Sequence, residues 1–159
     1  MSGAISDVAN QDLYSGCTMG ELFVRAARRF PDRIALVDGA EQITYREMGQ
    51  RMARYAAVFA AAGLEVGDGV AQLSANRVDA VCIIGAISMA GLRYTPLHPL
   101  GSEDDQVYIF NDAEIKCVVI DERSFSERGR RFTQNPKLDL AVFSIGPSDF
   151  AESMAERAQ

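Results

Sequence analysis

Apolar residues recur along the chain with two periods, one typical of helices and one typical of strands. Apolar positions three and four residues apart, closed by proline or glycine, predict amphipathic helices, and short runs of β-branched residues predict strands. The predicted helices cover residues 18–30, 44–62, 78–90 and 103–111, and the predicted strands cover 34–37, 42–44, 70–73, 93–97, 116–120 and 140–145.

Residues that cap helices stand at the ends of these segments. The stretches 18–21 and 44–47 both have the Thr-x-x-Glu spacing of a capping box, in which side chains satisfy N–H groups of the first turn. Asn76 and Ser102 can cap the two helices that follow, and Gly63 can end the helix that starts at the second box. The helix boundaries are therefore encoded locally.

Helices and strands alternate from Thr44 to Ile145, and helices of about 10 to 15 residues between short apolar strands are typical of a parallel sheet. The helix at 78–90 is apolar on almost every side, which predicts that it is buried. Pro96 and Pro99 should end the strand at 93–97 in a rigid loop. The predicted fold class is α/β, a mostly parallel sheet with helices on both faces.

One domain is expected over residues 18–159, since a chain of 159 residues lies in the single-domain range. Residues 1–17 show no periodicity and are expected to form a flexible arm. The tail at 151–159 could extend as a helix, but it is too short to be stable alone.

Composition and charge exclude several classes of protein. With 48% hydrophobic and 24% charged residues the chain should fold, and a net charge of -6 argues against nucleic acid as a partner. The opening residues lack the pattern of a secretory leader, and no stretch is apolar for the length of a transmembrane helix. A cytoplasmic protein without a transmembrane segment is expected.

The few cysteine and histidine residues restrict the chemistry further. Cys17, Cys82 and Cys117 are far apart and odd in number, which favours reduced thiols over a disulfide framework or a zinc site. His98 is the only histidine, so a His-pair metal site is excluded. We expect no metal site in this chain.

Motifs for phosphate binding and for hydrolysis are absent from the sequence. It contains neither of the glycine-rich nucleotide loops nor the G-x-S-x-G elbow, and Gly85 and Gly91 are better explained by close packing around a buried helix. The arginines between 123 and 131 could attract an anion, but Asp121, Glu122 and Glu127 nearly balance them, as on a solvated face.

Five segments in a fixed order resemble the adenylate-forming superfamily of acyl-CoA synthetases, luciferases and peptide-synthetase adenylation domains. They are TMGELFVRAARRFPDRIALVDG at 18–39, ITYREM at 43–48, GLEVGDGVA at 63–71, MAGLRYTPLHP at 89–99 and YIFNDAE at 108–114. They span about two-thirds of this chain, and would form about the first quarter of a whole family member. The resemblance implies the N-terminal subdomain of the acyl-CoA synthetase fold.

The resemblance also implies a reaction for the parent protein. ATP, magnesium and coenzyme A would be used to convert a carboxylic acid to an acyl-adenylate and then to acyl-CoA, and the loop at 98–102 inclines toward a fatty or aryl acid. The family's phosphate loop, ribose-binding aspartate and catalytic lysine come later than these segments, and Lys116 and Lys137 lie in no such motif. We therefore expect no catalytic and no cofactor-binding residue here, and a chain that is inactive alone.

Three residues are candidates for contact with substrate: His98, Tyr94 and Asn76. His98 follows a strand at the edge where α/β sheets bind ligands, and it could contact the acyl or pantetheine group. Its ring could instead satisfy a loop carbonyl or pack on Tyr94, and Asn76 could be a helix cap rather than a ligand contact.

Three functions follow from these observations. The first is a fragment of an acyl-activating ligase, whose partner is the remainder of the synthetase. The second is a non-catalytic truncated paralogue that acts as a dimerisation or interaction module, with a homodimer formed through exposed apolar surface. The third, a nucleotide-binding domain of another kind, lacks its phosphate loop.

Overall fold

The computed structural model describes residues 18–159, so the predicted arm at 1–17 lies outside the described residues. Six helices are formed in this part of the chain: α1 (Met19–Arg29), α2 (Tyr45–Ala61), α3 (Val78–Met89), α4 (Glu103–Asp112), α5 (Glu122–Gln134) and α6 (Met154–Arg157). The strands are β1 (Ile34–Asp38), β2 (Glu41–Thr44), β3 (Gly69–Leu73), β4 (Arg93–Pro96), β5 (Ile115–Asp121), β6 (Ala141–Ile145) and β7 (Glu152–Ser153).

Both predicted capping boxes are confirmed. The Glu21 N–H donates to Thr18 Oγ1 at 3.2 Å, and the Thr18 N–H donates to Glu21 Oε2 at 3.0 Å. The same reciprocal pair forms between Thr44 and Glu47 at the start of α2, and Ser102 caps α4 in the same way with Asp105. These local contacts fix where three of the helices begin.

The predicted cap at Asn76 is wrong. Arg77 occupies the N-cap position of α3, without a side-chain hydrogen bond to the helix, and Asn76 is exposed one residue earlier. The Arg77 side chain instead bonds to the end of a neighbouring strand, so tertiary contacts set the start of this helix.

A five-stranded sheet in the order β4–β3–β5–β6–β7 forms the centre of the structure, and each neighbouring pair is parallel. Strands β1 and β2 form a separate antiparallel hairpin. Pro96 lies on the edge strand β4, where its missing N–H leaves no gap in a central ladder. The parallel α/β prediction is confirmed.

Apolar side chains cover both faces of this sheet. One cluster joins Val70, Val119 and Phe143 to buried side chains of α2 and α3. The other joins Leu73, Val118 and Ile120 to side chains of α4 and α5. No residue of α3 is exposed, as its apolar sequence predicts.

Gly85 lies where α3 meets α2, and a Cβ there would collide with the Met52 side chain. The close-packing interpretation of Gly85 is therefore confirmed. Gly91 is also closely packed, since a Cβ there would lie 3.2 Å from the Val66 side chain. Its φ of 70° ends α3 in a conformation that favours glycine.

Helix α5 was not predicted, because the sequence between 123 and 131 indicates only a charged, solvated segment. The structure shows a helix whose Phe132 is buried and whose Gly129 is in contact with the Phe150 ring. The Asp121 carboxylate accepts from the Arg123 N–H at 3.2 Å and so caps it. The tail also packs, since Met154 of α6 is buried against the first cluster.

Within residues 18–159, no helix combines the length and the apolar character that crossing a lipid bilayer requires.

Candidate functional site

The five parallel strands end at one edge of the sheet, which is the edge where ligands bind in α/β folds. The segments that follow four of them begin at Leu97 after β4, Ser74 after β3, Glu122 after β5 and Gly146 after β6. We call these four segments the carboxyl edge. Two of the three predicted substrate contacts, His98 and Asn76, lie there.

An ion pair holds the centre of the carboxyl edge. Arg77 Nη1 lies 2.5 Å from Asp121 Oδ1 and 3.4 Å from the Ile145 carbonyl oxygen. The Asp121 side chain is fully buried, and its other oxygen accepts from the Ala75 N–H at 3.3 Å. The segment after β3 is thereby bound to the end of β5 through the Asp121 carboxylate and to the end of β6 through the Arg77 guanidinium.

A second polar network lies at the first turn of α3. Asp79 Oδ1 accepts from Arg51 at 2.9 Å and from the Tyr55 hydroxyl at 2.7 Å, and Arg51 also reaches Glu41 of the hairpin. Burial and the bond to Asp79 raise the pKa of Tyr55. Burial opposes the charge of Arg51, but Asp79 and Glu41 outweigh it and raise the pKa of Arg51. Both groups keep their protons at neutral pH. The network therefore stabilises the packing of α2 against α3 and does not act as an acid–base pair.

The loop that carries His98 is held from beneath. The buried Gln106 side chain donates to the His98 carbonyl oxygen at 3.2 Å, and Arg128 donates to Gln106 Oε1 and to the Gly101 carbonyl oxygen. Sequence reasoning missed both Gln106 and Arg128. Their partners lie in other elements, so only the fold could reveal them.

The ring of His98 does not satisfy a loop carbonyl, contrary to that interpretation of the sequence. His98 Nδ1 accepts from the Leu100 N–H at 3.1 Å. A neutral ring therefore carries its proton on Nε2. The side chain is exposed and presents this N–H as a donor at the carboxyl edge.

Tyr94 lies within β4 and not in the segment that follows it. It pairs with Val70 in the ladder between β3 and β4, two residues before β4 ends at Pro96. Burial raises the pKa of its hydroxyl.

The described residues do not fit a magnesium ion. Across residues 18–159 no three carboxylate, histidine or cysteine side chains come together as a metal site. Both oxygens of Asp121, the buried carboxylate of the carboxyl edge, are already bonded to Arg77 and to backbone N–H groups. Lys116 lies at the opposite end of β5, where its ammonium is 2.8 Å from Asp68 Oδ1.

Neither described cysteine is a candidate nucleophile. Cys82 and Cys117 are both free and fully buried, and burial raises the pKa of each thiol to about 12. Since the thiolate is the reactive form, both thiols are inert at neutral pH.

Comparison with known proteins identifies relatives over most of the chain. The model of the AMP-binding enzyme family matches residues 23–158. The chain is 35% identical over 149 residues to the medium/long-chain-fatty-acid–CoA ligase FadD8 of Mycobacterium tuberculosis, covering 92% of this chain and 26% of that protein. It is 34% identical over 103 residues to malpibaldin synthetase of Mortierella alpina, covering 65% of this chain and 2% of that protein.

Solved structures share the fold. A protein of Rhodopseudomonas palustris CGA009, described as a long-chain-fatty-acid CoA ligase, superimposes with a TM-score of 0.81 at 24% identity. The match covers 91% of this chain and 37% of that one. The chain thus spans well under half the length of the relatives it matches, and it corresponds to the N-terminal subdomain of adenylate-forming enzymes.

Proposed function

The chain belongs to the AMP-binding enzyme family, and we propose that it is the N-terminal part of an acyl-CoA synthetase that activates a fatty or aryl acid. In the parent reaction a carboxylate oxygen attacks the α-phosphorus of ATP and pyrophosphate leaves. The thiol of coenzyme A then attacks the acyl carbon and AMP leaves. The parent is a ligase, and we propose that this part of it does not catalyse either step alone.

The observation that carries this proposal is the 35% identity to FadD8 across 92% of the chain. The aligned region includes both sheet faces and the carboxyl edge rather than one short motif. A fatty acid is the substrate class that the name of that relative supports.

The proposed role of the described residues is to shape one wall of the substrate site. The Arg77–Asp121 pair fixes the carboxyl edge, and Gln106 with Arg128 fixes the loop of His98. We propose that the His98 Nε2–H and the exposed Asn76 amide donate to the acyl or pantetheine group. Tyr94 lies on the edge strand β4, so it would contact the same ligand only if that ligand extends along β4.

ATP and magnesium would be held by the remainder of the synthetase. Magnesium offsets phosphate charge during attack at phosphorus. The described residues do not supply this charge compensation. We propose that the phosphate-binding loop implied by the family resemblance belongs to the same remainder.

We expect no pyrophosphate release when the chain is incubated with ATP, magnesium and a series of carboxylic acids. The ion pairs of Lys116 and Arg77 leave both cations bound to carboxylates instead of phosphate. A coupled pyrophosphate assay measures this directly. Carboxylate-dependent release by the chain alone would contradict the proposed inactivity.

A chimera tests the lineage itself. Residues 18–158 should replace the matching segment of FadD8 with acyl-CoA formation retained, and Arg77→Met in the same chimera serves as a control for an intact carboxyl edge. A chimera that is folded by circular dichroism but forms no acyl-CoA from fatty or aryl acids would refute the assignment.

A second candidate function is an interaction module that forms a homodimer. No strand within residues 18–159 pairs with the outer edge of β4, and the hairpin exposes Ile34 at 50% and Val37 at 61%. Exposed edges and apolar side chains favour self-association. Light scattering over a wide concentration range should then show a dimer, and a monomer throughout would contradict this candidate.

A further inference from the structure

Helix α1 lies across α2 and α3 and touches them closely at two places. A Cβ on Gly20 would lie 2.7 Å from the Ser88 carbonyl oxygen, and a Cβ on Gly49 would lie 3.1 Å from Ala27 Cβ. Between these contacts the helices leave a cleft of about 340 Å³. We call this space the α1 cleft.

The α1 cleft is mostly apolar. Its walls come from all three helices and include Phe23, Ala27, Gly49, Met52, Ala53 and Met89. Ligand pockets for small molecules are apolar in the same way, with a few polar groups that fix orientation.

Polar groups that could fix the orientation of a ligand lie next to the cleft, in a second pocket of about 410 Å³. The two pockets share Val24, Arg28 and Met89. Arg25 and Arg28 line this second pocket, and neither forms an ion pair with any residue from 18 to 159. Glu21 also lines it, with one carboxylate oxygen bound to the Thr18 N–H at 3.0 Å. The pocket therefore has two cationic groups to offer an anion.

We propose that the α1 cleft binds a medium- or long-chain fatty carboxylate, with the acyl chain on the apolar wall and the carboxylate at Arg25 and Arg28. Charge complementarity selects this occupant, since an apolar cleft that ends in two arginines matches an anionic amphiphile. Arg46 at the other rim is already paired with Asp32 at 2.9 Å, so it adds little attraction for a second anion.

This site is distinct from the carboxyl edge. Helix α3 begins at the carboxyl edge, directly after its N-cap residue Arg77, and ends at Met89, which lines the α1 cleft. The two sites are therefore separated by the length of a 12-residue helix. Binding at the cleft needs no turnover, and it would hold or fail independently of the proposed reaction.

The tail-binding part of the site can be tested by calorimetric titration of the folded chain with dodecanoate below its micelle concentration. Ala53→Phe fills the cleft and should weaken binding at least about tenfold. Ala57→Phe is the matched control, because Ala57 is exposed one turn further along α2 and does not line the cleft. It should change the affinity by less than about twofold.

Removal of positive charge tests the part of the site that is proposed to bind the carboxylate head group. The double variant Arg25→Gln, Arg28→Gln should weaken dodecanoate binding about tenfold while leaving dodecan-1-ol within about twofold. Arg54→Gln, an exposed arginine of α2 outside both pockets, is the control for net charge.

A spin-labelled fatty acid supplies a positional readout, and it should broaden the amide signals of Gly49 and Ala53 first. Several results would overturn the proposal: no dodecanoate binding by the folded chain, equal binding by Ala53→Phe and the unsubstituted chain, or broadening centred on other residues. Conversion of a dimer to a monomer by Ala53→Phe, without fatty acid binding, would assign the cleft to a second copy instead.

Discussion

Replacing Arg77 with methionine is expected to lower the free energy of unfolding by about 3 kcal/mol, because it leaves a buried carboxylate without its cation. Asp121 is fully buried, and the backbone N–H groups of Ala75 and Arg123 would be its only remaining hydrogen-bond donors among residues 18–159. Guanidinium unfolding followed by circular dichroism should show a lower midpoint with an unchanged slope.

Arg123→Met is the control for this prediction. Arg123 is 69% exposed and its guanidinium is 3.9 Å from Glu122, so its loss should change stability by less than about 0.5 kcal/mol. In the double variant Arg77→Met, Asp121→Asn, part of the stability should return, since the uncompensated charge is gone. Equal midpoints for Arg77→Met and Arg123→Met would contradict a buried ion pair.

Local sequence was sufficient for the helix starts that rest on local bonds. The hydroxyl of Thr18 or Thr44 bonds to an N–H only three residues away, so the pattern alone identifies the cap. The start of α3 could not be found in this way. Its N-cap residue Arg77 is fixed by Asp121, which is 44 residues distant.

The same distinction applies to the candidate site. The order of elements was sufficient to place His98 after a strand, at the edge where α/β sheets bind ligands. Only the structure shows that Asn76 follows the neighbouring strand, because β3 pairs with β4. The support of that edge by Gln106 and Arg128 could not be predicted, because a buried glutamine on a charged helix has no distinctive local pattern. Contact of His98, Asn76 or Tyr94 with substrate stays a prediction.

The missed helix α5 shows the limit of periodicity. Its buried residues are few and its exposed positions are rich in arginine, so the apolar signal is diluted by charge. Its one fully buried aromatic side chain, Phe132, packs into the cluster on the second sheet face. The Phe132 ring meets the Phe110 ring at 5.0 Å with an interplanar angle of 76°, an edge-to-face pair.

Phe132→Ala is therefore expected to destabilise the chain by about 3 to 4 kcal/mol. Phe132 is only 2% exposed, and its removal opens a cavity between α5, α4 and the sheet. Chemical unfolding gives the magnitude, and hydrogen exchange should show lost protection in α5 before the other face.

Phe30→Ala removes the same side chain from a site that is 36% exposed, at the end of α1, where the guanidinium groups of Arg29 and Arg33 lie over its ring. Its cost should stay below about 1 kcal/mol, since a partly exposed ring leaves no closed cavity. If the segment 122–134 were only a solvated charged stretch, Phe132→Ala would cost as little as this control. If α5 is instead anchored by the buried Phe132 ring, Phe132→Ala should lower the free energy of unfolding much more than Phe30→Ala does.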